Sequence, residues 1–178
     1  FKDAWSSSDG INWLASTTSA PFTARANAGC VVHDGKLWLI GGHDGTFYGY
    51  LNDTWWTSDG ANWFCSDDNF RRGGFHSHAL FSHQGKLWIV GGNKTPRSSV
   101  FASSDGLSWR QESTTGPDLE SSGFVTHNDN LWVLGGYRTA VVNEVWHSAN
   151  GKGWVRGTNA DWNARRNFPA LSYNGKIW

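Results

Sequence analysis

Gly35-Lys36-Leu37-Trp38-Leu39-Ile40-Gly41-Gly42, followed by Asn52-Asp53-Thr54-Trp55 and Ser58-Asp59-Gly60-Ala61-Asn62-Trp63, decides the reading of the whole chain, because each piece returns. The first string recurs as Gly85-Lys86-Leu87-Trp88, Asp129-Asn130-Leu131-Trp132 and Gly175-Lys176-Ile177-Trp178, at intervals of 44 to 50 residues. The third recurs at Ser8 to Trp13, Ser104 to Trp109 and Ala149 to Trp154. Double glycines stand at Gly41-Gly42, Gly91-Gly92 and Gly135-Gly136, and an aromatic series runs through Trp5, Trp55, Phe101 and Trp146. Only Trp56 and Trp162 of the 13 Trp fall outside these series. The chain is therefore a repeat array before it is anything else.

Each repeat reads as strands. Cys30-Val31-Val32 is a β-prone run closed by the His33-Asp34-Gly35 turn, and Lys36 to Ile40 is a second strand closed by the double glycine. Thr54 to Thr57 is a third, and Asn62 to Cys65 is expected as a fourth after the Ser58-Asp59-Gly60 turn. Asp-Gly pairs supply the positive φ of tight hairpins, and no long stretch keeps a helical period. Four short antiparallel strands per unit make an all-β propeller blade. The chain divides into a half-blade at 1–18, blades at 22–66, 73–112 and 119–158, and a half-blade at 164–178, about four blade equivalents that make one propeller domain or a fragment of a larger propeller, with the fragment favoured. The two half-blades are expected to pair through their open strands, within the chain or between chains, because unpaired edges are sticky.

Composition narrows the partners. Fifteen Lys+Arg balance 15 Asp+Glu, which removes the long-range field that nucleic-acid binding uses. The apolar runs, Leu37 to Ile40 and Leu87 to Val90, are four residues long, against the roughly 20 that span a bilayer. Cys30 and Cys65 fall on the outermost strands of one blade, about 14 Å apart by strand spacing, too far for a disulfide. The compartment stays open, with a secreted or cell-surface setting favoured, and no cofactor is indicated.

In these residues the chain resembles a kelch β-propeller. Arg25 precedes the first strand, Gly35 to Trp38 leads to Gly41-Gly42, Asn52-Asp53-Thr54-Trp55 forms the third strand, and Trp63 marks the fourth. The resemblance implies a propeller fold, and among its enzymes copper radical oxidases and sialic-acid mutarotases, whose functional residues do not map onto this chain. Kelch repeats serve many roles, so fold alone does not assign one.

Function is then sought where the repeats differ. The 2-to-3 and 4-to-1 loops emerge on one face and vary, whereas the 1-to-2 and 3-to-4 turns on the other are short and uniform. Variable loops on a fixed scaffold carry binding residues. The ligand-binding candidates are Arg25, His43, Tyr48, Arg72, Asn93, Arg97, Tyr137, Arg138, Trp162 and Arg165, which suit a protein, glycan or carboxylate ligand. The expectation is a binding or interaction module; a sugar-acting enzyme and a self-assembling repeat protein are the alternatives. His43, His76 and His78 form a minor metal candidate, while His33, His83 and His127 are repeat-equivalent and too far apart to share an ion. Asp67-Asp68 is the one close carboxylate pair, read as loop solvation.

Overall fold

The computed structural model describes residues 1–67, 74–93 and 96–178, and among them every regular element is a strand. β1 (Ala4–Ser6) and β2 (Leu14–Thr17) form a two-stranded sheet. The first complete blade is β3 (Gly29–His33), β4 (Lys36–Ile40), β5 (Thr54–Thr57) and β6 (Phe64–Asp67), antiparallel and in sequence order. The second blade is β7 (Ala79–His83), β8 (Lys86–Val90), β9 (Val100–Ser103) and β10 (Arg110–Ser113). The third is β11 (Gly123–His127), β12 (Asn130–Tyr137), β13 (Val141–Ser148) and β14 (Val155–Arg156). β15 (Ser172–Tyr173) and β16 (Lys176–Ile177) pair as a second two-stranded sheet. These are the four-stranded antiparallel blades of a kelch-type propeller fold. No described helix is long and apolar enough to cross a membrane.

The core lies between blades, not within them. Ile40, Phe75, Leu80, Ile89 and Phe101 fill the space between the first and second blades, and Phe81, Trp88, Val90, Val100, Leu131 and Val133 that between the second and third. Trp63, Phe22 and Ala20 cover the first blade against the N-terminal half-blade. A blade with neighbours on both sides must be apolar on both faces, which is why β8 reads as a continuous apolar run instead of an alternating one. The first strands face one another, β3 against β7, β7 against β11 and β11 against β15. Of these, β3, β7 and β11 line an open groove of about 470 Å³, with Cys30, Val32, Leu80, Ser82, Phe124 and Thr126 among its residues. Cys30 and Cys65 do not form a disulfide.

The repeated turn is a lock between blades. Asp59 accepts hydrogen bonds from the amides of Ala61 (2.9 Å) and Asn62 (2.8 Å), and the Trp63 indole donates to the Gly60 carbonyl at 3.1 Å. Hydrogen bonds, chiefly from Asn12, Asn62 and Ser108, hold the Asp9, Asp59 and Asp105 carboxyls, respectively, below the usual carboxylate range. Those captured amides cannot join the ladder, so the fourth strand starts at Phe64, two residues later than Asn62 as read from the sequence. The turn glycine lies on the previous blade: a Cβ at Gly106 would overlap the Trp38 ring, and one at Gly151 would come within 2.6 Å of Trp88. His33 and His127 add hydrogen bonds between Nδ1 and the hydroxyls of Ser82 (2.9 Å) and Ser172 (2.8 Å) in the next blade.

Two further expectations are corrected. In the third blade the double glycine does not end the second strand. β12 runs through Gly135-Gly136 to Tyr137 with a shift of register between Leu134 and Gly136, because the short Tyr137 to Ala140 connection lets β13 start at Val141 and keep the pairing going. Within one chain the terminal half-blades do not join each other: β1 pairs with β2 and β16 with β15, as separate sheets.

Candidate binding face

The face carrying the 2-to-3 and 4-to-1 loops is built by the double glycines. Gly41 and Gly42 take φ of 61° and 107°, and Gly42 donates its N–H to the Phe75 carbonyl of the next blade at 2.6 Å. Gly92 does the same to Leu119 at 2.9 Å and Gly136 to Arg165 at 2.8 Å. Neither glycine can carry a side chain, since a Cβ at Gly41 or Gly91 would strike the next blade's backbone oxygen. The residue after each pair turns back to the approach of strand one: His43 exchanges both backbone hydrogen bonds with Ala26, Tyr137 does so with Glu120, and Asn93 donates to His76 at 3.1 Å. Three candidates, His43, Asn93 and Tyr137, are thus equivalent residues spaced around the axis.

Closer to the axis lies a feature the sequence reading missed. Asn27, Ser77, Ser121 and Asn167 all have φ between 54° and 56°. Their backbones form a belt, with Ser77 N–H donating to Asn27 O (3.0 Å), Ser121 to Ser77 (2.9 Å) and Asn167 to Ser121 (2.8 Å). The left-handed conformation is the one that aims each amide sideways at the neighbouring blade, and Asn tolerates it better than most residues. These positions recur at the intervals of the Gly-Lys-Leu-Trp string, a signal available in the sequence had small polar residues been aligned along with Trp and Gly.

The candidate side chains divide by what already holds them. The Arg25 side chain is 3% exposed; its guanidinium donates to both Asp53 oxygens (2.6 and 2.8 Å) and to the Gly41 carbonyl. Burial alone would raise the Asp53 carboxyl, but hydrogen bonds from Arg25 and the Trp55 indole hold it lower than usual. Arg25 therefore fixes the loop from beneath. Arg138 pairs with buried Glu144, which Arg156 also approaches at 3.3 Å, and Arg97 donates to the Arg138 carbonyl. His43, Tyr50 and His76 pack ring to ring, with Tyr50 stacked on His76 at 4.8 Å. His76 is engaged at both nitrogens, by Ser77 Oγ and the Asn93 amide. Burial, then the charges of His43 and Arg97, lower its pKa. His78 lies in the adjacent blade seam, and among the described residues no three His, Cys, Asp or Glu side chains converge as a metal-holding set.

Tyr48 stands out at 81% exposed, edge-on to Phe47 at 83%. Arg165 and Arg166 lie over the rings of Trp162 (5.3 Å) and Tyr137 (5.0 Å), leaving exposed cationic groups backed by aromatic faces. Arg72 and Asp68 fall outside the described residues.

No curated protein matches the chain. The family model of the kelch motif matches residues 24–56, the segment that holds Arg25, the first two strands, Gly41-Gly42 and the Asp53-Trp55 pair, and the other two four-stranded sheets share the antiparallel, in-order topology of that blade.

Proposed function

We propose that this chain is a binding module whose ligand or protein partner docks on the loop-bearing face. A kelch motif suggests an interaction module in general. One contrast carries the assignment to this face. On the opposite side, turn carboxylates and hydroxyls are spent on their own backbone, as in Ser103 and Asp105. The loop face keeps exposed aromatic and cationic groups over a backbone locked by the glycine pairs, the pre-ordered arrangement that lowers the entropy cost of binding. Screening the purified chain on peptide and glycan arrays, then repeating it with Tyr48→Ala and Tyr137→Ala, tests this. Each variant is expected to weaken the best hit about tenfold with an unchanged melting temperature. A larger loss from Lys36→Ala or Asp59→Ala would move the site to the other face.

A second reading, self-association through the half-blades, is favoured by a divided lock. Asp3 accepts the Trp5 indole N–H (2.9 Å) as Asp53 accepts that of Trp55, and Arg165 donates Nε–H to the Asn163 carbonyl as Arg25 does to Thr23. One half-blade thus holds the acid and Trp of the lock and the other the Arg. Concentration-dependent light scattering, lost in Arg165→Glu and restored by adding Asp3→Arg, supports this reading; a monomer at every concentration refutes it.

A further inference from the structure

Both seams between complete blades close by the same contact. A turn glycine of the following blade covers the second-strand Trp of the preceding one: Gly106 lies on Trp38 and Gly151 on Trp88. Those two Trp are 3% and 2% exposed. Beside the second contact stands an ion pair, Lys152 with Glu112 at 2.8 Å, and Lys152 directly follows the turn glycine. Trp132 is the same residue of the third blade, but no turn glycine of the chain lies on it. It is only partly buried and lines a cavity of about 510 Å³ with Val145, His147 and Gly157 among others. Gly10, conversely, has open space where Gly106 and Gly151 meet an indole. The chain thus holds an indole without its glycine and a glycine without its indole.

An adjoining cavity repeats the match. Phe22, beneath the Arg25 guanidinium, takes the edges of Trp55 at 6.0 Å and Trp63 at 5.1 Å. Trp162 stands beneath Arg165 in the same way, with Phe168 edge-on at 6.0 Å. It borders a cavity of about 500 Å³ shared with Leu134 and Ile177. The residues that correspond to Trp55 and Trp63 are Trp5 and Trp13, 53% and 57% exposed on the N-terminal half-blade. Burying two such rings is among the largest gains a contact can offer. Charge agrees, since Asp3 beside Trp5 carries the carboxylate that Arg165 lacks. Within one chain the two half-blades form separate sheets, so the matching surfaces meet only between copies.

We infer that the open face of the third blade is the docking surface for the N-terminal half-blade of a second copy, with that copy's Gly10 on the Trp132 ring, its Trp13 against Trp162 and its Asp3 on Arg165. In this register Ile11 takes the place of Lys152 and Gly157 that of Glu112, an apolar contact where the second seam has an ion pair. Donor and acceptor are different surfaces, so assembly runs head to tail into a ring or filament and not into a two-fold dimer. This rests on the self-association reading and adds its receptor, register and direction.

The test is sedimentation of the whole chain and of two variants. Gly10→Asn keeps the left-handed φ but sets a side chain against Trp132 of the next copy, which blocks the donor. Gly157→Glu faces Ile11 of the next copy with an unpaired carboxylate, which blocks the acceptor. Both should fold, because a Cβ at Gly10 meets nothing within 4 Å and one at Gly157 only ordinary contact at 3.6 Å. Each variant alone is expected to associate about tenfold more weakly than the parent chain, or less. Their equimolar mixture should form a 1:1 pair and nothing larger. Adding Ile11→Lys to Gly157→Glu should restore self-association, as Lys152 pairs with Glu112. Variants that associate like the parent, a mixture without the pair, or a failed rescue would overturn this docking surface and leave self-association standing. A parent chain that stays monomeric at every concentration overturns both.

Discussion

Gly106 and Gly10 occupy the same place in the same turn with nearly the same φ, 71° and 74°, yet they carry different burdens. Gly10 has open space where a Cβ would go, whereas Gly106 lies on the Trp38 ring. Gly10→Ala should cost only the left-handed strain, about 1 kcal/mol, while Gly106→Ala adds overpacking for a total of about 3 kcal/mol or more. Urea denaturation of the two variants checks this, and equal losses would mean the turn does not seal the blade seam. His78 gives a second prediction. Its pKa is depressed in the folded chain to about 4, against about 6.5 when unfolded, so between those values the unfolded chain binds more protons. Stability should hold above pH 6.5 and fall by about 3 kcal/mol as pH drops to about 4. His76, also lowered, titrates in the same direction. Replacing His78 by Phe should flatten most of that slope; an unchanged slope would assign it elsewhere. The need for glycine in these turns was legible from the Asp-Gly pairs, but its second reason was not, because the Trp it touches lies in another blade.

At the scale of elements, the lock of Arg25, Asp53 and Trp55 shows how one chain solves the same junction several ways. The second blade has Phe75, Ser99 and Phe101 at those places: Phe75 packs edge-on to Phe101 at 5.5 Å, and Ser99 accepts from the Gln111 amide. The third has Leu119, Glu144 and Trp146, and Glu144 recruits Arg138 and Arg156 while still taking the Trp146 indole. Acid and base vanish together in the second blade, as expected where an unpartnered buried charge costs more than apolar packing. Arg25→Ala should therefore destabilise by about 3–5 kcal/mol, because the largely buried Asp53 carboxylate loses its cation. The double variant Arg25→Phe with Asp53→Ser, copying the second blade, should recover part of that loss. Thermal melts of both decide it; no recovery would mean the two junctions are not alternatives. Strand positions were legible because apolar runs and turn residues are local. The β12 extension was not, since a bulge across Gly135-Gly136 depends on how soon the partner strand begins.

Across the whole molecule, blades are joined at three radii. Turn glycines seal the rim on one face, glycine pairs bond to the next blade on the other, and the belt of left-handed residues ties the axis. The repeat period was legible in Trp and Gly spacing, and with it the all-β blade architecture; the belt was not, because each of its members bonds a backbone atom in the neighbouring blade, about 45 residues away. This design makes stability depend on neighbours. The second blade has one on each side, and β8 and β9 are buried along nearly their whole length. The half-blades have sealing contacts on one side only, with Trp5 at 53% and Trp178 at 67% exposed. Local opening should therefore be graded by blade: amides of β8 and β9 should exchange only through global unfolding, and those of β1, β2, β15 and β16 first. Native-state hydrogen exchange reads this directly. Cutting the belt's backbone bond with Ser121→Pro should loosen the third blade and the C-terminal half-blade while β3 to β5 keep their protection, since Ser121 donates to Ser77 and accepts from Asn167. Uniform loss of protection in every blade would instead show that the array unfolds as a single cooperative unit and that the belt sets no boundary within it.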